Sequence, residues 1–546
     1  MTVPSYTEDL TDIATGDEST GWYEFSGGSY NAQGAPAYND ADYPYIQGSY
    51  AVTQDCTKTG MGSLCYNYGT GTGGHGTDGA YFVWQNFSSP QACDNYANGG
   101  LRLVVGSSLA DFKAWYVGGN NKGRYPYGGW QCFVANTSVS ADDTQGTPGA
   151  AEQYIGAAVK VTTGISKGEV HQVDVMRFGR GSSIFEYGEL GNYCTIAGYA
   201  AQNDNSSYRW GLIQEAPGGY LWKGRMQLGS VSNAVSFVDS NKIIFIDWTP
   251  KVTANFNTID VINASSSISM TGFQFICLDP STTASKGRWI TTDNATVTLT
   301  SCSFTDMATF AFNTNTTASG CTWKRCGQIT PAGADLSSSR IDSSTAAADT
   351  GALYWNVATD PNTKIDGSTF VKGTNDHHAI EFGTSAPTTM NLTNMTFSGF
   401  SASDGQNSSV LLFPDTGSNV TWTVAHTGTS GTLSYKKARS GDTVTISSSV
   451  TITITVKDQA GTLLDNVQTA IYKTSDRTQI MNEDTSSGVA TENYTGSTPV
   501  EVEVRCRKAS SGATKYKNYS SVQTVGTGGL TLTVTLLEDL YNNATS

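Results

Sequence analysis

The middle of the chain repeats one short pattern of polar and apolar residues. Each copy opens with a small or polar residue, carries a hydroxyl or an amide in third place, and ends on an aromatic residue. The copies end at Phe275, Phe304, Trp323, Phe370 and Phe397, which lie 29, 19, 47 and 27 residues apart. The 47-residue gap is about two shorter steps, and Ile341 is a candidate for a weaker rung between them. Self-similarity at such spacings is typical of a solenoid or an array.

The alternation inside each copy predicts short β-strands rather than helices. Strands that coil into stacked rungs form a β-solenoid, and loops inserted between rungs explain the unequal gaps. We therefore predict a right-handed β-solenoid (β-helix) over residues 261–450, with one face of each strand buried inside the coil. The alternative is chance similarity among the Ser-, Thr- and Asn-rich strands of a sandwich.

Strand patterns on both sides of the repeats predict separate domains, so the expected fold class is all-β. Residues 21–165 are rich in aromatics and in Gly/Asn turns, which favours a lectin-like N-terminal β-sandwich. Residues 1–20 are polar and acidic and are expected to form an N-terminal arm. Residues 166–260 are expected to be a connecting β region, and residues 451–546 a C-terminal module.

The C-terminal module has the cleanest alternation in the chain. Residues 451–456 and 499–505 alternate strictly, residues 458–461 (Asp-Gln-Ala-Gly) predict a turn, and Leu464 and Val467 follow it. This order resembles the transthyretin-like and carboxypeptidase-regulatory-like modules. The resemblance implies an Ig-like β-sandwich that binds or spaces other parts rather than one that catalyses.

Two motifs precede the repeats, namely Arg-x-Gly-Arg-Gly at 177–181, expected to be a turn, and Ala-Gly-x-Ala-Ala-x-Asn-Asp at 197–204. With the rungs at 301–304 and 394–397, they resemble long virion proteins of tailed phages of environmental bacteria, over about residues 170–400. The resemblance implies a virion structural protein (a capsid decoration, fibre or tail-associated protein) for display, attachment or glycan binding. A homotrimer is expected, because solenoid ends and edges need covering.

Charge narrows the expected partners. The 546 residues include 32 Lys+Arg and 47 Asp+Glu, a net charge of −15. Such a chain is repelled by nucleic acid and by anionic membranes, so other virion proteins and host-surface glycans are the expected partners. The sequence has no apolar run near 18 residues and no signal-peptide pattern, which favours a virion protein made in the host cytoplasm and released by lysis. A secreted bacterial adhesin whose leader has been removed is an alternative.

Aromatic residues near glycines predict a binding surface. Aromatic platforms stack on sugar rings and anchor interfaces. The candidates are Trp22, Tyr23, Tyr116, Tyr125, Tyr127 and Trp130. The alternative is that these side chains form the core of the sandwich.

Motifs for cofactors and metals are weak. Gly71–Gly76 matches a dinucleotide glycine pattern but leads into a strand, so we expect a loop tip. Gly164–Gly168 fits a nucleophile elbow, but a strand follows it, so we expect a hairpin turn. His377 and Glu381 on one strand lie about 13 Å apart, too far to chelate one ion alone. We expect no cofactor and no metal.

Ten cysteines are spread along the chain. Cys56 and Cys65 flank a Gly-rich turn, and Cys321 and Cys326 bracket one rung, so either pair is a candidate disulfide. We interpret the cysteines as small buried apolar residues.

Carboxylates in the repeats leave an enzymatic alternative open. Tailspike depolymerases use two Asp or Glu side chains about 5–9 Å apart. The candidates are Asp279, Asp293, Asp306, Asp335, Asp342, Asp349, Asp366, Asp376, Glu381 and Asp404. Most are expected to cap turns, so the expectation is a protein without catalytic residues. Residues 324–366 and 371–393 are where inserted loops, and any such pair, are expected.

Overall fold

The structure is a computed structural model. It describes residues 5–543 except 41, 70–78, 121–128, 163–168, 187–193, 204–208, 248–250, 282–285, 293, 496–498, 509–513 and 527–528. The Gly71–Gly76 and Gly164–Gly168 motifs, Tyr125, Tyr127 and the candidate carboxylate Asp293 lie outside the described residues. The chain divides into two compact units, one formed by 1–334 with 343–345, the other by 335–342 with 346–546.

The fold is all-β, as the alternation predicts. Helices in the described part of the chain are short: Ile196–Asn203, Asn362–Ile365 and Leu540–Asn543, with 3-10 turns at Gly27–Ser29, Pro90–Ala92 and Tyr96–Asn98.

Antiparallel strands of two sheets open the first unit. One contains Trp22–Tyr23, Gly60–Asn67, Leu101–Gly106, Phe112–Gly118, Asp143–Gln145 and Tyr154–Val161. The other begins with Ser5–Ala14, Ala37–Asp40, Ala51–Cys56, Ala80–Phe87, Gln131–Ala135 and Glu169–Glu186. Leu103 and Trp115 from the first sheet and Val83 and Val173 from the second share one apolar core. Burial of this shared core holds the two sheets together.

The N-terminal residues differ from the expected arm, because Ser5–Ala14 forms a strand paired antiparallel with Glu169–Glu186. The Arg177 guanidinium, which is 1% exposed, donates from Nε to Asp12 Oδ1 at 2.6 Å and so ties this strand down. Residues 177–181 are correspondingly part of a strand rather than the expected turn. Arg177, the buried residue that holds Asp12, lies 165 residues further along the chain. The polarity of residues 1–20 therefore does not reveal the pairing.

The rest of the first unit consists of short strands stacked in three columns, where a column is a set of strands each paired in parallel with the next. The first column continues from Glu169–Glu186 through Arg225–Leu228, Thr258–Val261, Arg288–Thr291, Phe310–Ala311 and Ile329–Thr330. The second contains Gly219–Trp222, Ile243–Ile246, Gln274–Cys277, Ser303–Thr305 and Thr322–Lys324, with Ile213–Ala216 antiparallel at its start. The third contains Ser236–Ser240, Ser267–Thr271, Thr296–Thr300 and Thr316–Ser319.

The second unit contains three columns of parallel strands. The first contains Gly351–Trp355, His378–Phe382, Leu411–Phe413 and Tyr435–Lys437. The second contains Arg340–Asp342, Thr369–Val371 and Thr396–Ser398. The third contains Thr389–Thr393, Thr421–Thr427 and Thr443–Ser448.

Two further sheets complete the second unit. One contains Val450–Lys457, Val489–Tyr494 and Leu530–Thr535, the other Val467–Lys473, Gln479–Asp484, Val500–Lys508 and Tyr519–Val525. They share one core, to which Ile452 and Val504 belong. The turn expected at 458–461 is closed by Asp458 Oδ1, which accepts from Ala460 N at 2.9 Å and Thr462 N at 2.8 Å.

The repeated aromatics occupy equivalent positions in consecutive strands. In the first unit the rings of Phe275, Phe304 and Trp323 stack in register, with centroids 5.3 and 5.7 Å apart. In the second unit Ile341, Phe370 and Phe397 are in register, and the two rings are 5.5 Å apart. All six side chains are buried. Burial of each ring stabilises the fold by about 2–3 kcal/mol.

The cysteines occupy similar interior positions. All ten are buried thiols. Cys302 Sγ donates to Met270 O and Cys321 Sγ donates to Leu299 O, both at 3.4 Å. Their role in this fold is to fill space as small, weakly polar groups.

We expect Phe304→Ala to lower the free energy of unfolding of the first unit by about 3–5 kcal/mol, because the lost ring leaves a cavity between two stacked neighbours. Val231→Ala is the matched control, since Val231 is 90% exposed in the same unit. Thermal unfolding measures both variants. Equal melting of Phe304→Ala and wild type would show that this stack does not stabilise the unit.

One buried carboxylate carries a pH-dependent contribution to stability. Asp174 is fully buried, and its Oδ2 accepts from Ile46 N at 2.5 Å and Gln47 N at 3.1 Å. Its Oδ1 has no hydrogen-bond partner among the described residues. Burial is the largest of the effects that together raise the pKa of Asp174 from 3.8 to about 7. The hydrogen bonds from Ile46 N and Gln47 N and the charge of Arg177 lower this pKa, and the charge of Asp17 raises it.

Asp174 therefore destabilises the unit as pH rises, because its folded-state pKa lies above its unfolded value. The difference in unfolding free energy between wild type and Asp174→Asn should fall by roughly 3 kcal/mol from pH 5 to pH 8. Urea unfolding followed by tryptophan fluorescence measures it. Taking the difference removes the contribution of other groups such as His171, whose pKa burial lowers to about 3. A difference that does not change with pH would contradict the assignment.

Candidate functional site

The predicted aromatic platform is not one surface. Tyr23 is 42% exposed, whereas Trp22 beside it is 6% exposed. Trp22–Tyr23 is an edge strand, and Tyr116 lies four strands away in the same sheet. Tyr116 is half-buried beneath the Arg102 guanidinium, 4.6 Å from the ring centroid, and Trp130 is half-buried against another core cluster. Of the four described platform residues, Tyr23 alone is exposed.

A different group of aromatics surrounds Tyr23. Tyr23, Tyr66 and Tyr68 line an open depression of about 570 Å³ together with Ile13, Thr20, Gly21, Asn67 and Gly69. We call this surface the tyrosine depression. Tyr66 and Tyr68 are missing from the sequence prediction, and the signal that could have found them is their alternation, Tyr66-Asn67-Tyr68, just before a glycine-rich segment.

Antiparallel pairing places these tyrosines together. Trp22 is opposite Tyr66 and Tyr23 is opposite Cys65, while Asn67 is opposite Tyr154 on the next strand. Gly21 sits beside Tyr66 with φ of +90°, and a Cβ at this position would lie 2.8 Å from the Tyr66 ring. A glycine is required there both for the backbone conformation and for the space that the ring occupies.

Hydrogen bonds fix the phenol groups at the rim. Asn67 Nδ2 donates to Tyr154 Oη at 3.1 Å, and the Tyr154 ring meets the Tyr23 ring edge-on with centroids 6.2 Å apart. Tyr68 Oη lies 3.2 Å from Tyr81 Oη, which donates to Glu152. Burial raises the pKa of Tyr68 to about 12, so its hydroxyl stays neutral at physiological pH.

The tyrosine depression therefore offers apolar ring faces beside neutral hydroxyl and amide groups. Ring faces pack against the C–H faces of sugars, and the polar tips donate to or accept from sugar hydroxyls. The described side chains lining the depression carry no charge, so they fit a neutral ligand and supply no acid or base.

A second pocket brings two carboxylates together. Asp349 and Glu381 line a pocket of about 390 Å³ in the second unit, with Leu412, Phe413 and Lys436. Parallel pairing places Glu381, Leu412 and Lys436 in register on three consecutive strands. Asp349 lies in 324–366 and Glu381 in 371–393, the two segments where a carboxylate pair is expected. We call this the acidic pocket.

Asp349 is ionised in the acidic pocket. Its Oδ1 accepts from Lys436 Nζ at 2.6 Å and lies 3.2 Å from His378 Nε2. Desolvation raises the pKa of Asp349, but the hydrogen bonds from Lys436 and His378 outweigh it, so the pKa lies below its usual value. Glu381 Oε2 accepts from Gly351 N at 2.8 Å. Asp349 therefore stays a carboxylate at neutral pH and has no proton to donate.

The histidine cluster makes hydrogen bonds inside the second unit. His377 Nδ1 lies 2.9 Å from the carbonyl oxygen of His378, and His377 Nε2 accepts from Gly373 N at 3.1 Å. Within the described residues, no group of three His, Cys, Asp or Glu side chains is arranged to hold a metal ion. A search of the same residues also finds no helix long and apolar enough to cross a membrane.

No protein-family model and no curated protein matches the chain. Solved structures similar to it include an exo-β-agarase, 10% identical over 32% of this chain and 24% of that chain, with a TM-score of 0.20. The catalytic domain of Agl-KA is 10% identical over 82% of this chain and 99% of that chain, with a TM-score of 0.19. The chain spans about a quarter of the length of the agarase. At these scores neither likeness bears on the fold or the function.

Proposed function

We propose that this chain is a non-enzymatic attachment protein that binds a glycan through the tyrosine depression. The observation that supports this is the open depression formed by Tyr23, Tyr66 and Tyr68, in which ring faces and neutral polar groups lie side by side. Its setting is the virion of a tailed phage, as a capsid decoration, fibre or tail-associated protein that assembles as a homotrimer. The sequence resemblance over residues 170–400 supports that setting.

The same proposal assigns a role to each region of the chain. The columns form a right-handed β-solenoid that spaces the binding surfaces, and the in-register aromatics support this because stacked rungs repeat one buried position. The N-terminal sheets form a lectin-like sandwich, supported by their shared core. The two C-terminal sheets form an Ig-like module, supported by the closed turn at Asp458 and the core around Val504.

We expect Tyr23→Ala to weaken binding of a neutral oligosaccharide about tenfold, because an exposed ring face is lost without opening a core. The measurement is calorimetric titration of the full chain with neutral galactan, glucan and mannan oligosaccharides. Tyr45→Ala is the matched control, since Tyr45 is 48% exposed outside the depression. If the wild type binds none of the three, or Tyr23→Ala binds as tightly as wild type, the tyrosine depression is not a neutral-glycan site.

A second candidate function is a glycan depolymerase, which the acidic pocket favours. Ionised Asp349 would take a proton from an attacking water, and Glu381 would give a proton to the leaving oxygen as the glycosidic bond breaks. The second carboxylate is the observation that sets this pocket apart from the tyrosine depression. A lysine and a histidine against one carboxylate also serve as a purely structural ion pair.

The test of this second candidate is the release of reducing ends from acidic and neutral polysaccharides. A hydrolase would lose at least a hundredfold of its rate in Asp349→Asn and in Glu381→Gln, since proton transfer contributes that much. Asp415→Asn is the control, because Asp415 lies outside the pocket and is half-exposed. No release by the wild type supports attachment without cleavage, and release abolished by the two pocket variants refutes it.

A further inference from the structure

Three arginines converge on one pocket of the first unit. Arg180, Arg225 and Arg288 line a pocket of about 400 Å³ together with Asn255, Thr258 and Asp260. We call it the arginine pocket. The chain has 32 Lys and Arg side chains in 546 residues, so three in one pocket are a concentration of positive charge on an acidic protein.

Column register sets the spacing of the arginines. Ser182, Arg225, Thr258 and Arg288 occupy equivalent positions on four consecutive parallel strands. Neighbouring strands lie about 4.8 Å apart, so the backbones of Arg225 and Arg288 are about 10 Å apart with Thr258 between them. Arg180 lies two residues before Ser182 on the same strand. The guanidiniums are therefore held by strands rather than by loops.

The pocket is positive overall among its described residues. Asp260 is the one carboxylate among the described lining residues, and the guanidiniums of Arg225 and Arg288 both act on it. Arg225 NH2 pairs with Asp260, and Arg288 Nε donates to Thr258 Oγ1 at 3.0 Å. Asp260 Oδ1 also accepts from Thr292 Oγ1 at 3.1 Å. Asp260 thus orients Arg225 and balances one of the two guanidiniums of Arg225 and Arg288, which leaves one positive charge between them.

The pKa of Arg288 reflects the charges around it. Burial lowers its pKa from the usual value, the attraction of Asp260 opposes that change, and repulsion by Arg225 adds to it. An anion between Arg225 and Arg288 would relieve the repulsion between them. Guanidiniums suit this task because their planar donors match the oxygens of carboxylates and related oxyanions in pairs.

The ligand follows from the size and lining of the pocket. Its volume exceeds that of a single oxyanion, and Asn255, Thr258 and the Phe256 ring also line it. Amide, hydroxyl and aromatic groups beside guanidiniums fit a sugar that carries a negative substituent.

We propose that the arginine pocket binds the sulfate or carboxylate substituent of an acidic polysaccharide. The inference rests on the proposed glycan attachment and adds to it a substrate class, because the tyrosine depression would bind neutral parts of the chain and the arginine pocket its charged units.

The test compares three oligosaccharides of similar length by calorimetric titration of the full chain: a sulfated galactan, an oligogalacturonate and a neutral galactan. We expect the wild type to bind at least one acidic probe about tenfold more tightly than the neutral one, with the preference shrinking as NaCl rises. Whichever acidic probe binds more tightly identifies the substituent. Equal binding of all three probes would overturn the proposal.

Variants separate a binding role from a structural one. Arg180→Gln and Arg288→Gln should each weaken binding of the acidic probe about tenfold and leave the neutral probe unchanged. Asp260→Asn should strengthen it, a direction that general loss of structure does not produce. Arg180 is exposed, so its variant serves if Arg288→Gln does not fold. Arg340→Gln in the second unit is the control, and acidic binding unchanged in both pocket variants would refute the proposal.

The experiments test the tyrosine depression and the arginine pocket independently. If Arg288→Gln loses binding of the acidic probe and Tyr23→Ala keeps binding of the neutral probe, the arginine pocket is retained and the tyrosine depression is removed from the proposed function. If Tyr23→Ala loses binding of the neutral probe and Arg288→Gln keeps binding of the acidic probe, the tyrosine depression is retained and the arginine pocket is removed. Competition by inorganic sulfate without binding of either acidic oligosaccharide would show an anion site that does not recognise glycans, and would overturn the proposal.

Discussion

Register between parallel strands is the constraint on which the rest of this structure depends. Each column buries the same position of strand after strand, so Phe275, Phe304 and Trp323 must coincide for any of them to be covered on both faces. A slip of one residue would turn every buried side chain of a strand to the opposite face. The energy of the stacked aromatics therefore fixes the position of every other residue on the same strands.

The residues that face outward from these strands are aligned by the same register, and the pockets form between their side chains. The backbone pairing that stacks Ile259 on Trp289 also aligns Thr258 with Arg288. In the second unit, the pairing that stacks Phe382 on Phe413 aligns Glu381 with Leu412. Parallel pairing of this kind brings side chains from distant parts of the sequence to fixed positions on neighbouring strands.

This explains what the sequence could and could not predict. Alternation and the repeated aromatics were enough for the all-β class and for the buried positions such as Phe304, because both signals are local. The pairing of Tyr23 with its neighbours and the alignment of Arg225 with Arg288, two strands away, depend on how many residues each intervening segment inserts. The hydrophobic pattern does not show how many residues of a segment lie between two paired strands. Side chains that meet across strands therefore cannot be identified until the register of the strands is known. The strand at Ser5–Ala14 is hidden for the same reason, since its partner is Arg177.

Buried charges lie where an antiparallel strand, Gln131–Ala135, meets the first two parallel strands of the second column. Lys223 is 2% exposed, and its Nζ lies 2.9 Å from Asp247 Oδ2 and donates to Cys132 O at 2.5 Å. Such a pair contributes little net stability, because desolvating both ions offsets their attraction. It does discriminate between alignments, since any shift of the strand would leave an ion buried without its partner. The stacked apolar side chains stabilise the columns. The polar pairs at the start of the columns select one alignment of the first strands, and each following strand takes its register from the strand before it.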